Sequence, residues 1–419
     1  MKNHIRAKAF LVGASFGKID LSELKEHLNE LELLAQTAEY DIIEIFTQQI
    51  SNVNPSFYIG SGKANSIINK AKTLGVKLII FDNELTPAQS KNYNKIAKDI
   101  KVIDRGSLIL DIFMSHAKTK ESKVQVELAQ LQYTLPRLTR AWTHLERQMG
   151  GIGSRAGAGE TQIEVDRRLV RSRINKLKTE LFKINKNRKS QSKKRIDSFK
   201  VALVGYTNAG KSTTMKALSG VDVLIKDQLF ATLDTTVRSV LLDKDHKILL
   251  SDTVGFIRKL PHHLIASFKS TLKEVVESNL ILLVLDASSN QIDDHYRIIR
   301  DALESIGAGQ NKFIIVLNKV DQLDNQSDFK VLSKKFPDSI FISAMNSIRI
   351  DELRLKIIEE MEKNYDVVDL ELPYNNGKKI SLLQKLATVI NREYRDNSIK
   401  LRVKASKDKI GQILKLIKN

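Results

Sequence analysis

Residues 205–212 read Gly205-Tyr206-Thr207-Asn208-Ala209-Gly210-Lys211-Ser212. This is the G-x-x-x-x-G-K-S spacing in which backbone N–H groups, a lysine and a serine hydroxyl surround a polyphosphate. Two further clusters follow. Asp252-Thr253-Val254-Gly255 comes after the apolar run Ile248 to Leu250, and Asn318-Lys319-Val320-Asp321 comes after Phe313 to Leu317. One phosphate loop alone would fit ATP equally well. Three clusters in this order, each behind an apolar run, imply a guanine nucleotide.

Each position has a chemical task. The amides of Asn208 through Ser212 would face the phosphates from a helix N-terminus, where unpaired N–H groups and the helix dipole favour anions. Lys211 would reach the β and γ phosphates, and Ser212 and Asp252 would hold Mg²⁺. The Gly255 amide would sense the γ-phosphate, so that Lys211, Gly255 and Asn208 form the catalytic set. Asp321 can accept both guanine N1–H and the exocyclic amine, which adenine cannot offer, and Asn318, Lys319 and Val320 complete that loop. Ser343-Ala344-Met345, behind Ile340 to Ile342, stands where a last base-contacting loop belongs. Phe230-Ala231-Thr232-Leu233-Asp234 lies between the phosphate loop and Asp252, and a threonine at 232, 235 or 236 would complete the Mg²⁺ shell. Spacing does not choose among the three. Phe256 follows Gly255 where many GTPases carry a water-orienting glutamine, so unaided hydrolysis should be slow. Asn208 either braces the loop or recruits a K⁺ ion beside the phosphates.

These clusters need strands and helices behind them. Residues 1–117 alternate short apolar runs (Phe10–Val12, Ile42–Phe46, Leu78–Phe81, Val102–Ile103) with helical patterns over Leu21–Ala38, Ala64–Leu74 and Ala88–Ala97. That rhythm predicts a parallel α/β domain. Over 118–198, Val124, Leu128, Leu131, Leu135, Leu138, Trp142 and Leu145 recur at heptad steps, as do Val170, Ile174, Leu177, Leu181 and Ile184. The pattern predicts a long antiparallel helical hairpin, kinked or restarted at Pro136. Residues 199–364 would form the nucleotide domain, with a mostly parallel sheet and helices on both faces. Residues 365–419 would form a small α/β appendage, helical over Ile380–Ile390 and Asp408–Ile417 and strand-like over Ile399–Val403. The expected class is therefore a multidomain α/β protein. Gly60-Ser61-Gly62-Lys63 lacks the earlier glycine of a phosphate loop and reads as a strand-to-helix turn.

The 68 Lys and Arg against 49 Asp and Glu give a net charge of +19. Basicity of this size points to a polyanionic partner; a lysine-rich genomic bias is the alternative source. The charge is concentrated. Between Arg167 and Lys200 stand 14 Lys and Arg against Glu180 and Asp197. A hairpin tip rich in glycine (150–160) would have Arg147 and Arg155 beside its glycines, so RNA contact is expected there and at Arg167, Arg168, Arg171 and Arg173. The absence of cysteine excludes disulfides, thiolate metal sites and cysteine nucleophiles. No apolar run approaches the roughly 20 residues of a membrane helix, and the reading is of a soluble, monomeric, cytoplasmic protein.

Beyond the general motifs, several blocks resemble the HflX family of ribosome-associated GTPases, relatives of the Obg group. They are Asp227 to Asp234, Asp252 to Leu260, Tyr58 to Lys63, Phe81 to Gln89 and Gln125 to Gln130. The resemblance implies Mg²⁺-dependent GTP hydrolysis to GDP, binding to the large (50S) ribosomal subunit and its rRNA, and splitting or rescue of stalled ribosomes. It also implies Thr232 as the Mg²⁺ ligand. Phe256 is similar to the family's apolar residue at that position. Two blocks depart from the pattern. The tip reads Ala156-Gly157-Ala158-Gly159-Glu160 in place of a Gly-Pro-Gly-Glu, and Thr214-Met215 replaces Leu-Phe. An RNA-binding assembly or remodelling factor with incidental hydrolysis is the competing reading; a small-molecule kinase is disfavoured by the guanine-selective loop.

Overall fold

The computed structural model describes residues 6–17, 21–138, 162–192, 198–220, 229–230, 233–234, 236–260, 272–323, 325–373 and 377–418. Packing divides the chain into two units, both discontinuous in sequence. One is Met1–Arg188 with Lys226–Asp234 and Val254–Leu272; the other is Lys189–Ile225 with Thr235–Thr253 and Lys273–Asn419.

The first unit is built on a four-stranded sheet of β1 (Ala7–Phe16), β2 (Tyr40–Ile50), β3 (Leu78–Phe81) and β4 (Lys101–Asp104), in the order β2-β1-β3-β4. All its pairings are parallel. The runs read from sequence are its strands, and α1 (Leu21–Thr37), α2 (Ser61–Thr73) and α3 (Pro87–Ile96) follow the expected helical patterns. Helix α3 starts cleanly because Thr86 and Gln89 form a capping box and Pro87 supplies a preset φ. Gly60 enters α2 from a bridged turn at Asn54 and Tyr58 rather than from a strand. Helix α4 (Arg105–His116) had no sequence signal. Leu108, Ile109, Leu110, Ile112 and Phe113 are all buried, so its apolar surface runs round the helix and carries no period.

The hairpin is present in the same unit. Its arms are α5 (Lys120–Thr134) and α6 (Gln162–Ser192). The chain leaves α5 through a 3₁₀ turn at Leu135–Arg137, as Pro136 requires. Val124, Leu128 and Leu138 pack on Val170, Ile174 and Leu177, which is the seam that the heptads predicted. Lys120 pairs with Glu180 at 2.8 Å, and Arg173 grips Glu127 at 2.6 and 2.9 Å, fixing the antiparallel register. Trp142, Leu145 and the glycine-rich tip lie outside the described residues.

The second unit holds a six-stranded sheet in the order β10-β9-β8-β5-β7-β6. Its strands are β5 (Phe199–Gly205), β6 (Thr236–Leu241), β7 (Lys247–Asp252), β8 (Leu280–Asp286), β9 (Phe313–Asn318) and β10 (Ile340–Phe341). Only β6 runs antiparallel to its neighbour. Strands β5 and β8 lie inside the sheet, and Val201–Val204 and Leu280–Leu285 are buried throughout. Continuous apolar runs belong in strands covered on both faces.

A three-stranded antiparallel sheet, β11-β13-β12, completes this unit. Strand β11 (Tyr365–Pro373) was not expected; Leu370 and Leu372 alternate into its core. The helix expected over Ile380–Ile390 stops at Leu386, and β12 (Thr388–Tyr394) follows at once. Thr388, Val389 and Ile390 are consecutive β-branched residues, which favour a strand over a helical turn. Strand β13 (Ser398–Ser406) and the last helix (Lys407–Lys418) agree with the sequence reading. Among the described residues no helix is long and apolar enough to cross a membrane.

Candidate functional site

The phosphate loop occupies the turn between β5 and α7 (Lys211–Ser219) at the carboxyl end of a parallel sheet, where open α/β folds bind ligands. Two glycines are dictated by contact. A Cβ at Gly205 would run into the Val284 carbonyl, and one at Gly210 would overlap Asn318 Nδ2. Gly210 also has φ +90°, and Asn208 takes a left-handed φ of 59°. The loop is thus curled through two left-handed residues into the start of α7, and a helix N-terminus favours an anion.

Asn318 holds the loop from the next strand but one. Its Nδ2 donates to the Ala209 carbonyl at 2.9 Å, and its Oδ1 accepts from the Ala344 amide at 3.0 Å. One buried amide therefore ties the phosphate loop to the 343–345 segment. Ser343 and Ala344 are buried, and the Ser343 hydroxyl accepts from the Asn346 amide at 3.2 Å, whereas Met345 is 79% exposed. Lys319 has φ 64° and pairs with Asp286 at 2.7 Å. Asp321 lies in the exposed 3₁₀ turn Val320–Gln322, its carboxylate on the solvent side.

The Lys211 ammonium donates to the Tyr206 carbonyl at 2.7 Å and to the Gly205 carbonyl at 3.3 Å. Burial pushes its pKa down to about 8, against the opposing pull of Asp252. A buried lysine held only by carbonyls gains strongly from an arriving anion. Ser212 Oγ donates to Asp252 Oδ2 at 2.6 Å. Adjacent hydroxyl and carboxylate oxygens suit Mg²⁺, which takes hard ligands and keeps several waters. Thr253 turns away, its hydroxyl bonded to the Leu203 carbonyl at 2.7 Å. The Thr207 hydroxyl is buried without a hydrogen-bond partner. Tyr206 stacks on His295 of α8 (Ile292–Ser305), ring centroids 3.8 Å apart, a contact sequence reading did not find.

Other expected site residues belong to the first unit. The Phe230 ring packs edge-on against Phe113 at 4.6 Å. Asp234 accepts from the Thr119 hydroxyl at 2.6 Å and from the amides of Lys118 and Thr119, so it anchors the start of α5 rather than facing open space. Leu233, Val254 and Phe256 are buried, as is Gly255 between the last two. Ala231, Thr232, Arg147 and Arg155 lie outside the described residues. Arg167, Arg168 and Arg171 are exposed on α6, whereas Arg173 is engaged by Glu127.

A charge network in this unit has no counterpart in the sequence reading. Arg105 is buried and bonds Asp82 at 2.8 Å and Glu30 at 2.7 Å. Arg258 reaches Glu30 at 3.0 Å, and Lys259 contacts Asp82. Burial alone would raise the Asp82 carboxyl, but Lys259 and Arg105 outweigh it and hold it below its ordinary range. His27 lies 3.9 Å from Asp82 and has its pKa lowered to about 4, first by burial and then by Lys259 and Arg258. The segment that follows Gly255 is thus clamped onto buried carboxylates. Residues at 30, 82, 105 and 258 are too far apart in the chain for any local pattern to connect them.

A mostly parallel sheet with a glycine-curled phosphate loop, an Asp252–Ser212 pair and an Asn-Lys-Val-Asp turn at the end of β9 defines a GTP-binding protein of the P-loop class. Sequence profiles agree segment by segment. Residues 25–114 match the GTP-binding GTPase N-terminal family, 116–195 the GTP-binding GTPase middle region, and 200–319 the 50S ribosome-binding GTPase family. GTPase HflX of Flavobacterium psychrophilum is 43% identical over 389 residues, covering 88% of this chain and 93% of that protein. GTPase HflX of Escherichia coli is 39% identical over 387 residues, covering 90% and 89%. A GTP-binding protein from Sulfolobus solfataricus, solved with GDP, is 27% identical with a TM-score of 0.44, covering 85% of this chain and 99% of that one. The chain belongs to the HflX family of GTPases and is an enzyme that hydrolyses GTP.

Proposed function

We propose that this GTPase works as a nucleotide-controlled switch on the large ribosomal subunit, splitting or rescuing stalled ribosomes in the cytoplasm as a monomer. The observation that carries the reading is Phe256. It is 4% exposed, directly follows Gly255, and offers no group to orient or deprotonate water. Catalytic positioning must then come from a partner. The match of residues 200–319 to ribosome-binding GTPases and the basic arm α6 both favour a ribosomal one.

In this reading Ser212 and Asp252, with Thr232, hold Mg²⁺, which supplies electrophilic stabilisation of the phosphates. The amides of Asn208 to Ser212 orient the β and γ phosphates, and Lys211 leaves its two carbonyl partners to meet them. Asn208 contributes to a K⁺ site beside the phosphates. Asp321 accepts from the guanine edge. Arg147, Arg155, Arg167, Arg168 and Arg171 contact rRNA phosphates, while Arg173 keeps the hairpin closed.

Co-sedimentation with separated ribosomal subunits tests the proposal. Binding to the large subunit with a nonhydrolysable GTP analogue but not with GDP, together with faster hydrolysis on adding that subunit, is expected. Rapid turnover by the protein alone, unchanged by ribosomes, would overturn it. Binding that ignores the nucleotide and falls steeply with salt would favour an RNA-binding assembly factor. Equal rates in K⁺ and Na⁺ would remove the K⁺ assignment.

A further inference from the structure

Helix α6 buries Val170, Ile174 and Leu177 against α5. Beside that seam runs a continuous exposed stripe of Arg168, Arg171, Asn175, Lys178, Phe182 and Lys186. The spacing of three and four residues places all six on one side of the helix. Within this stripe Phe182 is 71% exposed. A phenyl ring left in water forgoes the gain of burial, and the neighbours one turn away on each side, Lys178 and Lys186, are cations.

Arg171 and Lys178 are paired with no carboxylate among the described residues. By contrast, Arg173 on the flank of the helix is held by Glu127. Arg171 and Lys178 therefore set available positive charge beside one bare aromatic face. Single-stranded nucleic acid is bound by this pair of features: cations follow the backbone, and a ring stacks with a base irrespective of its sequence. A protein groove would need more apolar area than one ring. An anionic membrane would need an apolar face along the helix, and among the described residues of α6 the only other large exposed apolar one, Leu169, projects from a different side.

We propose that Phe182 is a base-stacking platform for an unpaired RNA nucleotide, with Arg171 and Lys178 contacting the phosphates on either side. The inference rests on the proposed RNA-binding role of the hairpin and adds a specific aromatic contact to it.

The test uses the full-length protein and a single-stranded oligoadenylate, with affinity measured across a salt series. Phe182→Ala should weaken binding about 10-fold at every salt concentration, within the range for one base–aromatic stack, and leave the salt slope unchanged. Phe182→Tyr should restore it. Lys178→Gln should instead reduce the slope by about 0.7, the value for one phosphate contact on a single strand. Phe182 is exposed, so these variants keep the hairpin core, and thermal melting of each confirms it. If the wild type binds with a clear salt slope but Phe182→Ala binds equally well, the stacking inference falls and the basic hairpin reading survives. If the wild type binds neither oligoadenylate nor ribosomal subunits, both fall. Loss of binding to phosphatidylglycerol vesicles in Phe182→Ala, with RNA affinity unchanged, would overturn it in favour of a lipid surface.

Discussion

The buried imidazole of His27 makes the first unit sensitive to acid. His27 is 5% exposed and faces cations from two segments, Arg105 of α4 and Arg258 and Lys259 after Gly255. The carboxylates facing it are Asp82 at 3.9 Å and Glu23 at 3.6 Å. Its pKa falls from 6.5 to about 4 on folding, chiefly through burial. The unfolded chain then binds the proton more readily than the folded one between those values, so stability is full above pH 6.5 and declines as pH falls. At pH 5 the difference amounts to about 2 kcal/mol, a roughly 30-fold change in the opening equilibrium. Hydrogen exchange of the α1 amides, corrected for intrinsic rate, should report that loss between pH 7 and pH 5. In His27→Gln, which keeps a polar group of similar length but cannot titrate, the loss should shrink by the same amount. Equal acid losses in both proteins, or a His27 ring resonance that titrates near pH 6.5, would refute the reasoning.

Three further outcomes follow from the nucleotide site. Because Lys211 has a pKa of about 8 with no phosphate present, and phosphate favours its charged form, GTP affinity should weaken as pH rises through 8. Calorimetry in buffers of different ionisation enthalpy should detect proton uptake on binding there, and Lys211→Met should abolish both the uptake and tight binding. Asp321→Asn replaces an acceptor with a donor. It should lower GTP affinity by about 10²- to 10⁴-fold, from two charge-assisted hydrogen bonds of ~1.5–3 kcal/mol each, and favour xanthosine triphosphate in competition binding. Gly210→Ala should displace the Asn318 side chain and abolish nucleotide binding measured by a fluorescent GDP analogue, since the position combines φ +90° with a blocked Cβ site.

What the sequence revealed depended on how local each feature was. The phosphate loop, the Asp252 cluster and the Asn318 turn are contiguous strings at strand ends, and the structure places the strands where the apolar runs predicted. The hairpin seam was equally legible because heptads repeat along one chain segment. Helix α4 was hidden by being apolar on nearly every side, and β12 by following a helix after a single residue. Asn318 reads from sequence as part of the guanine-selecting loop, and its side chain also spans from Ala209 to Ala344, a bond pattern that only three-dimensional proximity creates. Asp234 looked like part of a nucleotide-facing loop and is instead bonded to Lys118 and Thr119, more than a hundred residues earlier. The network of Glu30, Asp82, Arg105 and Arg258 was invisible for the same reason.

That network also determines how the molecule can be divided. A fragment ending before the phosphate loop would retain Glu30 and Asp82 but lose Arg258 and Lys259, leaving buried acids short of their counter-ions. Cutting at the boundaries suggested by sequence would thus produce an N-terminal piece with an acidic socket. A synthetic peptide spanning residues 254–260 carries the missing cations and is the natural candidate to complement it in trans.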